Sequence, residues 1–274
     1  MITKLTHQQE ELMVSYQQAW KAVYLSTAPI ERNRVLDVLE DVFKAYPESP
    51  TMPEVIFFNS PYAAFNAELR RVTTGNFNDA SSDRIINEVT NLMTLQGEGQ
   101  ARTDLWFDLS MDLHSWMNSQ MSLEVWEVLE ANLVDEVGSR IYKQVWDLLW
   151  NWLRDRLQDE LKDTPKACLR FCDNFINSDS EWANYAGLYD FCIHELGYRC
   201  DEEQWNLYKA MCSECNYWFL PSPEYYIVCD RPIKMLFNEQ GQLHSDEEPA
   251  IQFIDGFGLS ARHGEISSIC YPSL

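Results

Sequence analysis

The stretch Ala250-Ile251-Gln252-Phe253-Ile254-Asp255-Gly256, followed by His263-Gly264 and Glu265 to Cys270, decides how this chain is read. Asp-Gly after a short β-branched and aromatic run is a strong local signal for a hairpin, because both turn positions need residues that tolerate positive φ. His263-Gly264 reads as a second tight turn. Working backwards, Ile233 to Phe237 is a further short strand and Asn238 to Gly241 the turn that leaves it. Tyr225 to Cys229 has the same texture. Strands this short cannot stand alone in water, so a helical part should cover one of their faces.

Upstream of Pro221 the pattern changes to helical spacing. Residues 5–24 read as one helix. Thr27 and Pro29 suggest the cap and first turn of the next, which carries Val35, Val38, Leu39, Val42 and Phe43 as an apolar stripe. Val55 to Phe58 is a strand or a buried connector, and Asn59-Ser60-Pro61 offers a cap and a first-turn proline for another helix. Helices are expected over 83–95, 105–117, 123–134, 180–196 and 202–215. The longest, from Arg140 to Leu161, aligns Ile141, Val145, Leu148, Leu149, Trp152 and Leu153 on one face. The expectation is an α+β chain: a mostly helical region over 1–220, and an antiparallel β meander over 221–274 packed on it as one cooperative unit.

Composition narrows the function. The 274 residues are 46% apolar, enough for a core, and carry 21 Lys plus Arg against 43 Asp plus Glu, a net charge of −22. That balance argues against a nucleic-acid backbone or an anionic membrane surface as partner, since both need clustered positive charge. Acidic clusters stand at Asp135-Glu136, around Asp155 to Asp163, at Asp201-Glu202-Glu203 and at Asp246-Glu247-Glu248. The first twenty residues lack the apolar stretch of an export signal, and no apolar run is long enough to span a membrane. A cytoplasmic location is expected, with the eight cysteines reduced.

Several groups invite a chemical reading. Cys212-Ser213-Glu214-Cys215 is a C-x-x-C, the alternative metal site, but zinc wants a second short-spaced pair that is missing. Asp104, Asp108 and Asp112 form a carboxylate row at i, i+4 and i+8, with His114 close by; such a row is ordinarily a solvated helix face. Of ten tryptophans, Trp146 and Trp150 sit beside the main face of their helix and are candidates for an interface. Arg231, His244, Asp255 and His263 are concentrated in the β region and could bind an anionic ligand if they converge. Each also has an ordinary role, in an ion pair, a turn or a backbone bond. No G-x-S-x-G, P-loop, G-x-G-x-x-G or H-E-x-x-H pattern is present, and no cofactor is expected.

The residues Cys215 to Pro221, Ile227-Val228-Cys229-Asp230-Arg231-Pro232, Leu243-His244, Pro249 to Phe253, Asp255-Gly256 and His263-Gly264 resemble the signature of a bacterial family of unknown function, frequent in cyanobacteria. Met52-Pro53-Glu54 to Tyr62 is similar to that family's N-terminal signature. Glu247-Glu248 departs from it where relatives have glycine before Pro-Ala. The resemblance implies an intracellular protein and no known activity. The Leu-His, Pro-Ala-Ile and Asp-Gly string also resembles short hairpin repeats of other bacterial and phage proteins, which implies a structural unit. The leading expectation is therefore a non-enzymatic interaction or regulatory module with an acidic surface and a basic protein partner. Two alternatives stand beside it: an enzyme or small-ligand binder using the His/Asp/Arg set, and an acidic mimic of DNA.

Overall fold

The computed structural model describes residues 1–46, 52, 54–74, 100–134, 136–160, 182–214, 219–221 and 225–271. The helix expected over 83–95, and Cys168, Cys172, Cys215 and Trp218, lie outside them. The chain is α+β. Its helices are α1 (His7–Tyr24), α2 (Arg32–Ala45), α3 (Pro61–Thr74), α4 (Gln100–Gln120), α5 (Leu123–Leu133), α6 (Glu136–Glu160), α7 (Ala186–Glu195) and α8 (Glu202–Glu214). A short 3-10 turn, Trp182–Tyr185, leads into α7.

Local sequence explains several helix starts. Thr6 and Gln9 form a reciprocal capping box on α1, each side chain satisfying the other's backbone N–H. Ser122 caps α5. Ser60 accepts the Ala63 N–H at 3.1 Å, and Pro61 opens α3, as expected. α2 departs from expectation. It begins at Arg32, not near Thr27, and has no side-chain cap. Tertiary contacts override the local signal: the Ala28 carbonyl and the Ser26 hydroxyl both accept from Arg231, which fixes the segment before α2 as a loop.

The apolar stripes do what their spacing predicts. Val35, Val38, Leu39, Val42 and Phe43 of α2 are buried, as are Ile141, Val145 and Leu149 of α6. α2 packs on α4 and α8, α1 on α5 and α7, and α3 on α6.

The strands form two sheets. The first is mixed: β1 (Glu54–Phe58) pairs in parallel with β3 (Tyr225–Cys229), and β2 (Phe219–Pro221) pairs antiparallel on β3's other side. Tyr226, Ile227, Val228 and Cys229 are all buried, so this central strand is covered on both faces. The second is an antiparallel meander of β4 (Lys234–Met235), β5 (Ile251–Gln252), β6 (Gly258–Arg262) and β7 (Glu265–Cys270), in that order. Tyr225 to Cys229 therefore does not open the meander, as its texture suggested. Parallel pairing with a strand more than 160 positions earlier has no short-range signature.

The three expected turns are present, Asn238 to Gly241 included, but at Asp255-Gly256 only the glycine takes positive φ, because the loop has three residues, Ile254 to Gly256. Gly256 (φ +87°) closes the β5–β6 loop, with the Phe253 N–H donating to the Phe257 carbonyl at 2.8 Å. His263 (φ +50°) and Gly264 (φ +88°) make the two-residue β6–β7 turn, in which Arg262 faces Glu265.

The meander is seated on the helices by specific contacts. Tyr62 of α3 stacks on Phe257 at 5.2 Å and 11°, and meets Trp152 and Tyr271 edge-on. Gln144 of α6 acts as a substitute strand. Its amide donates to the Gly264 carbonyl at 3.0 Å, and its oxygen accepts the Ile266 N–H at 2.7 Å. This covers part of the open edge of β7.

Candidate functional site

The residues singled out in the β region fall into separate settings. His244 and His263 meet, with ring centroids 4.7 Å apart. His244 Nδ1 accepts the His263 backbone N–H at 3.2 Å, so its proton sits on Nε2, which faces Asp246 Oδ2 at 3.4 Å. Arg262 approaches the other Asp246 oxygen at 3.6 Å. The pair thus braces the left-handed turn at His263.

Asp255 is engaged elsewhere. One carboxylate oxygen accepts from the Ser60 hydroxyl at 2.6 Å and the other from the Phe257 N–H at 3.0 Å. It locks the β5–β6 turn to the start of α3. Arg231 donates to the carbonyls of Ser213 and Ala28 and to the Ser26 hydroxyl. It ties the end of α8 to the loop before α2. The enzyme or ligand-binding alternative required these four side chains to close on one ligand. They serve instead as three braces.

Trp146 is buried against Phe65 and Tyr142, each ring 5.3 Å away, so it is core and not an interface residue. The widened stripe on α6 reflects contact with α3 on that side. Trp150 lies on α6, with its side chain outside the described residues. Cys212 is buried within α8. Among the described residues no three His, Cys, Asp or Glu side chains are grouped to hold a metal ion. Burial pushes the Cys192 thiol up to about 12 and the Cys229 thiol well above its ordinary value. Such thiols are poor nucleophiles. Of the carboxylate row on α4, Asp108 accepts from the Tyr46 hydroxyl at 3.3 Å.

Acidic clusters are likewise partly consumed locally. Asp201 caps α8 through the Gln204 N–H at 3.0 Å, and Glu248 pairs with Lys234. Asp246 faces His244 and Arg262.

Among the described residues, one arrangement turns charge outward beside apolar surface at a groove. A groove of about 840 Å³ runs between α2 and α8, lined by Asp41, Lys44, Ala45, Glu202, Glu203, Asn206, Leu207 and Ala210. Leu207 and Ala210 are half-buried and belong to the core's margin, giving the groove an apolar floor. Three carboxylates rim it against one ammonium, and that ammonium is already held by Glu40 at 3.0 Å and Asp41 at 3.4 Å. Glu40, then Asp41, raise Lys44 above the usual lysine range, so it is fully charged.

The groove walls are tied at both ends. Arg34 of α2 pairs with Glu214 of α8 at 2.7 Å, and at the other end Gln204 donates to the Tyr46 hydroxyl at 3.3 Å. The sequence displays the Asp201-Glu202-Glu203 cluster but not its neighbour across the groove, since α2 and α8 are far apart in the chain. Among the described residues no helix is long and apolar enough to cross a membrane. No family model, curated protein or solved structure matches the chain.

Proposed function

We propose that this protein is a non-enzymatic interaction module whose α2–α8 groove receives a cationic amphipathic segment of a partner protein. The observation that carries the reading is the combination in one groove of an apolar floor, Leu207 and Ala210, with a rim of Asp41, Glu202 and Glu203. At about 840 Å³ the groove is open to solvent and far larger than an ion needs, as a side chain of a docked segment requires. A partner side chain of the lysine or arginine type can lay its methylene stem on the floor and set its charge on the rim. Walls tied at both ends reduce the ordering cost of binding. A net charge of −22 adds long-range attraction for a basic partner and speeds encounter. The resemblance to a bacterial family of unknown function is compatible with such a role.

The test uses a synthetic helical peptide of leucine and lysine, and a charge-reversed version with glutamate in place of lysine. Titration calorimetry at low ionic strength should give saturable binding of the lysine peptide alone, weakening as salt is raised. The Asp41→Asn/Glu202→Gln/Glu203→Gln variant should lose most of it. If that variant binds as well as the parent, the groove is not the site. If a linear polyamine binds as tightly as the peptide, the apolar floor contributes nothing and the reading as a protein-docking groove fails.

A further inference from the structure

Among the described residues Lys44 is the one cation lining the groove, so it is the one positive charge a cationic partner would meet there. It stands on the last turn of α2, facing Glu40 and Asp41 of the preceding turn, and Asp41 is also a rim carboxylate. Its side chain is 67% exposed, and those of Glu40 and Asp41 are 58% and 60% exposed. Exposed pairs of this kind are weak and are exchanged easily. The ammonium therefore neutralises part of the rim while being free to swing off it.

From this geometry we infer that Lys44 is a built-in competitor: it occupies Asp41 until a partner's cation displaces it. The inference rests on the groove reading above and names a control on the same site. A partner must offer more than a point charge to win, because it replaces a tethered ammonium already in place. Apolar contact with Leu207 and Ala210 supplies that advantage, so the latch favours amphipathic segments over plain polycations. Any modification that removes the Lys44 charge, such as acylation of the ammonium, frees Glu40 and Asp41 together and opens the groove further.

The experiment compares wild type with Lys44→Gln, Lys44→Arg and Lys143→Gln, using the leucine–lysine peptide as probe. Lys143 is a matched control. It is 55% exposed and pairs with Asp147 at 3.0 Å on α6, well outside the groove lining. Removing either lysine changes net charge equally. Lys44→Gln should bind about two- to fivefold tighter, the range an exposed pair allows. Lys44→Arg should match wild type, and Lys143→Gln should gain markedly less than Lys44→Gln. An equal gain from both glutamine variants would show a general field effect and overturn the latch. So would unchanged or weaker binding by Lys44→Gln while the triple rim variant still loses the peptide, which leaves the groove standing. Binding that is unchanged in both Lys44→Gln and the triple rim variant overturns groove and latch together.

Discussion

The seam between the meander and α3–α6 and the groove between α2 and α8 are both contacts between distant parts of the chain, but they are finished differently. At the seam the polar groups find partners within the protein. Asp255 is shared between Ser60 and the Phe257 N–H, and Gln144 satisfies two backbone groups of the β6–β7 hairpin. Tyr62 fills the space between with three aromatic contacts. At the groove the helices touch below, while Glu202, Glu203 and Asp41 turn to solvent above a half-buried apolar floor. Polar groups that close on each other build architecture, and carboxylates left facing outward beside apolar surface are available for recognition. The contrast predicts that seam substitutions cost stability, whereas groove substitutions cost binding.

The largest effect should come from Phe257→Ala. It removes a fully buried ring and the stack with Tyr62, and should cost about 3–5 kcal/mol in denaturant unfolding. A loss under about 1 kcal/mol would mean the meander is not seated as described. Asp255→Ala comes next. It deletes a carboxylate that accepts from a buried hydroxyl and a backbone N–H, and about 1.5–3 kcal/mol should be lost. Gln144→Ala should cost about 1–2 kcal/mol by stranding the Gly264 carbonyl and the Ile266 N–H. Hydrogen exchange should accelerate at Ile266 first; exchange unchanged there would contradict the substitute-strand role.

Near neutrality the buried thiols should add no pH dependence, and their effect appears only in alkali. Cys192 is raised to about 12 in the fold, so the folded thiol keeps its proton where the unfolded one loses it. Stability should be complete below about pH 9 and fall as pH climbs toward 12. In Cys192→Ala that fall should be shallower, and an identical alkaline profile would remove the thiol as a cause. The smallest change in stability belongs to the groove: Asp41→Asn/Glu202→Gln/Glu203→Gln should shift it by no more than about 1 kcal/mol, a few tenths for each exposed substitution. A large destabilisation would make the rim a structural element and erase the contrast with the seam.

What could be read in the sequence follows the same division between local and distant. Asp255-Gly256, His263-Gly264 and Ser60-Pro61 are decided by neighbouring residues, and each appears where expected. The stripes of α2 and α6 are likewise periodic and legible. β1 pairing with β3 was not, because nothing within either strand reports a partner on the other side of the helical region. Arg231, His244, Asp255 and His263 are adjacent enough in sequence to suggest one site, yet their partners, Ser213, Asp246, Ser60 and the His244 ring, distribute them. The groove was half visible: Asp201-Glu202-Glu203 stood out, but Asp201 is a helix cap. Only the packing of α2 on α8 gives Glu202 and Glu203 an apolar neighbour and an opposing carboxylate.

Mapping the leucine–lysine peptide on isotope-labelled protein by backbone amide chemical shifts tests the central claim most directly. Saturating peptide should move Ala45, Asn206, Leu207 and Ala210 and leave the Gly264 and Ile266 amides of the seam unchanged. Shifts centred on the meander, or spread evenly over acidic positions with the groove unaffected, would contradict it.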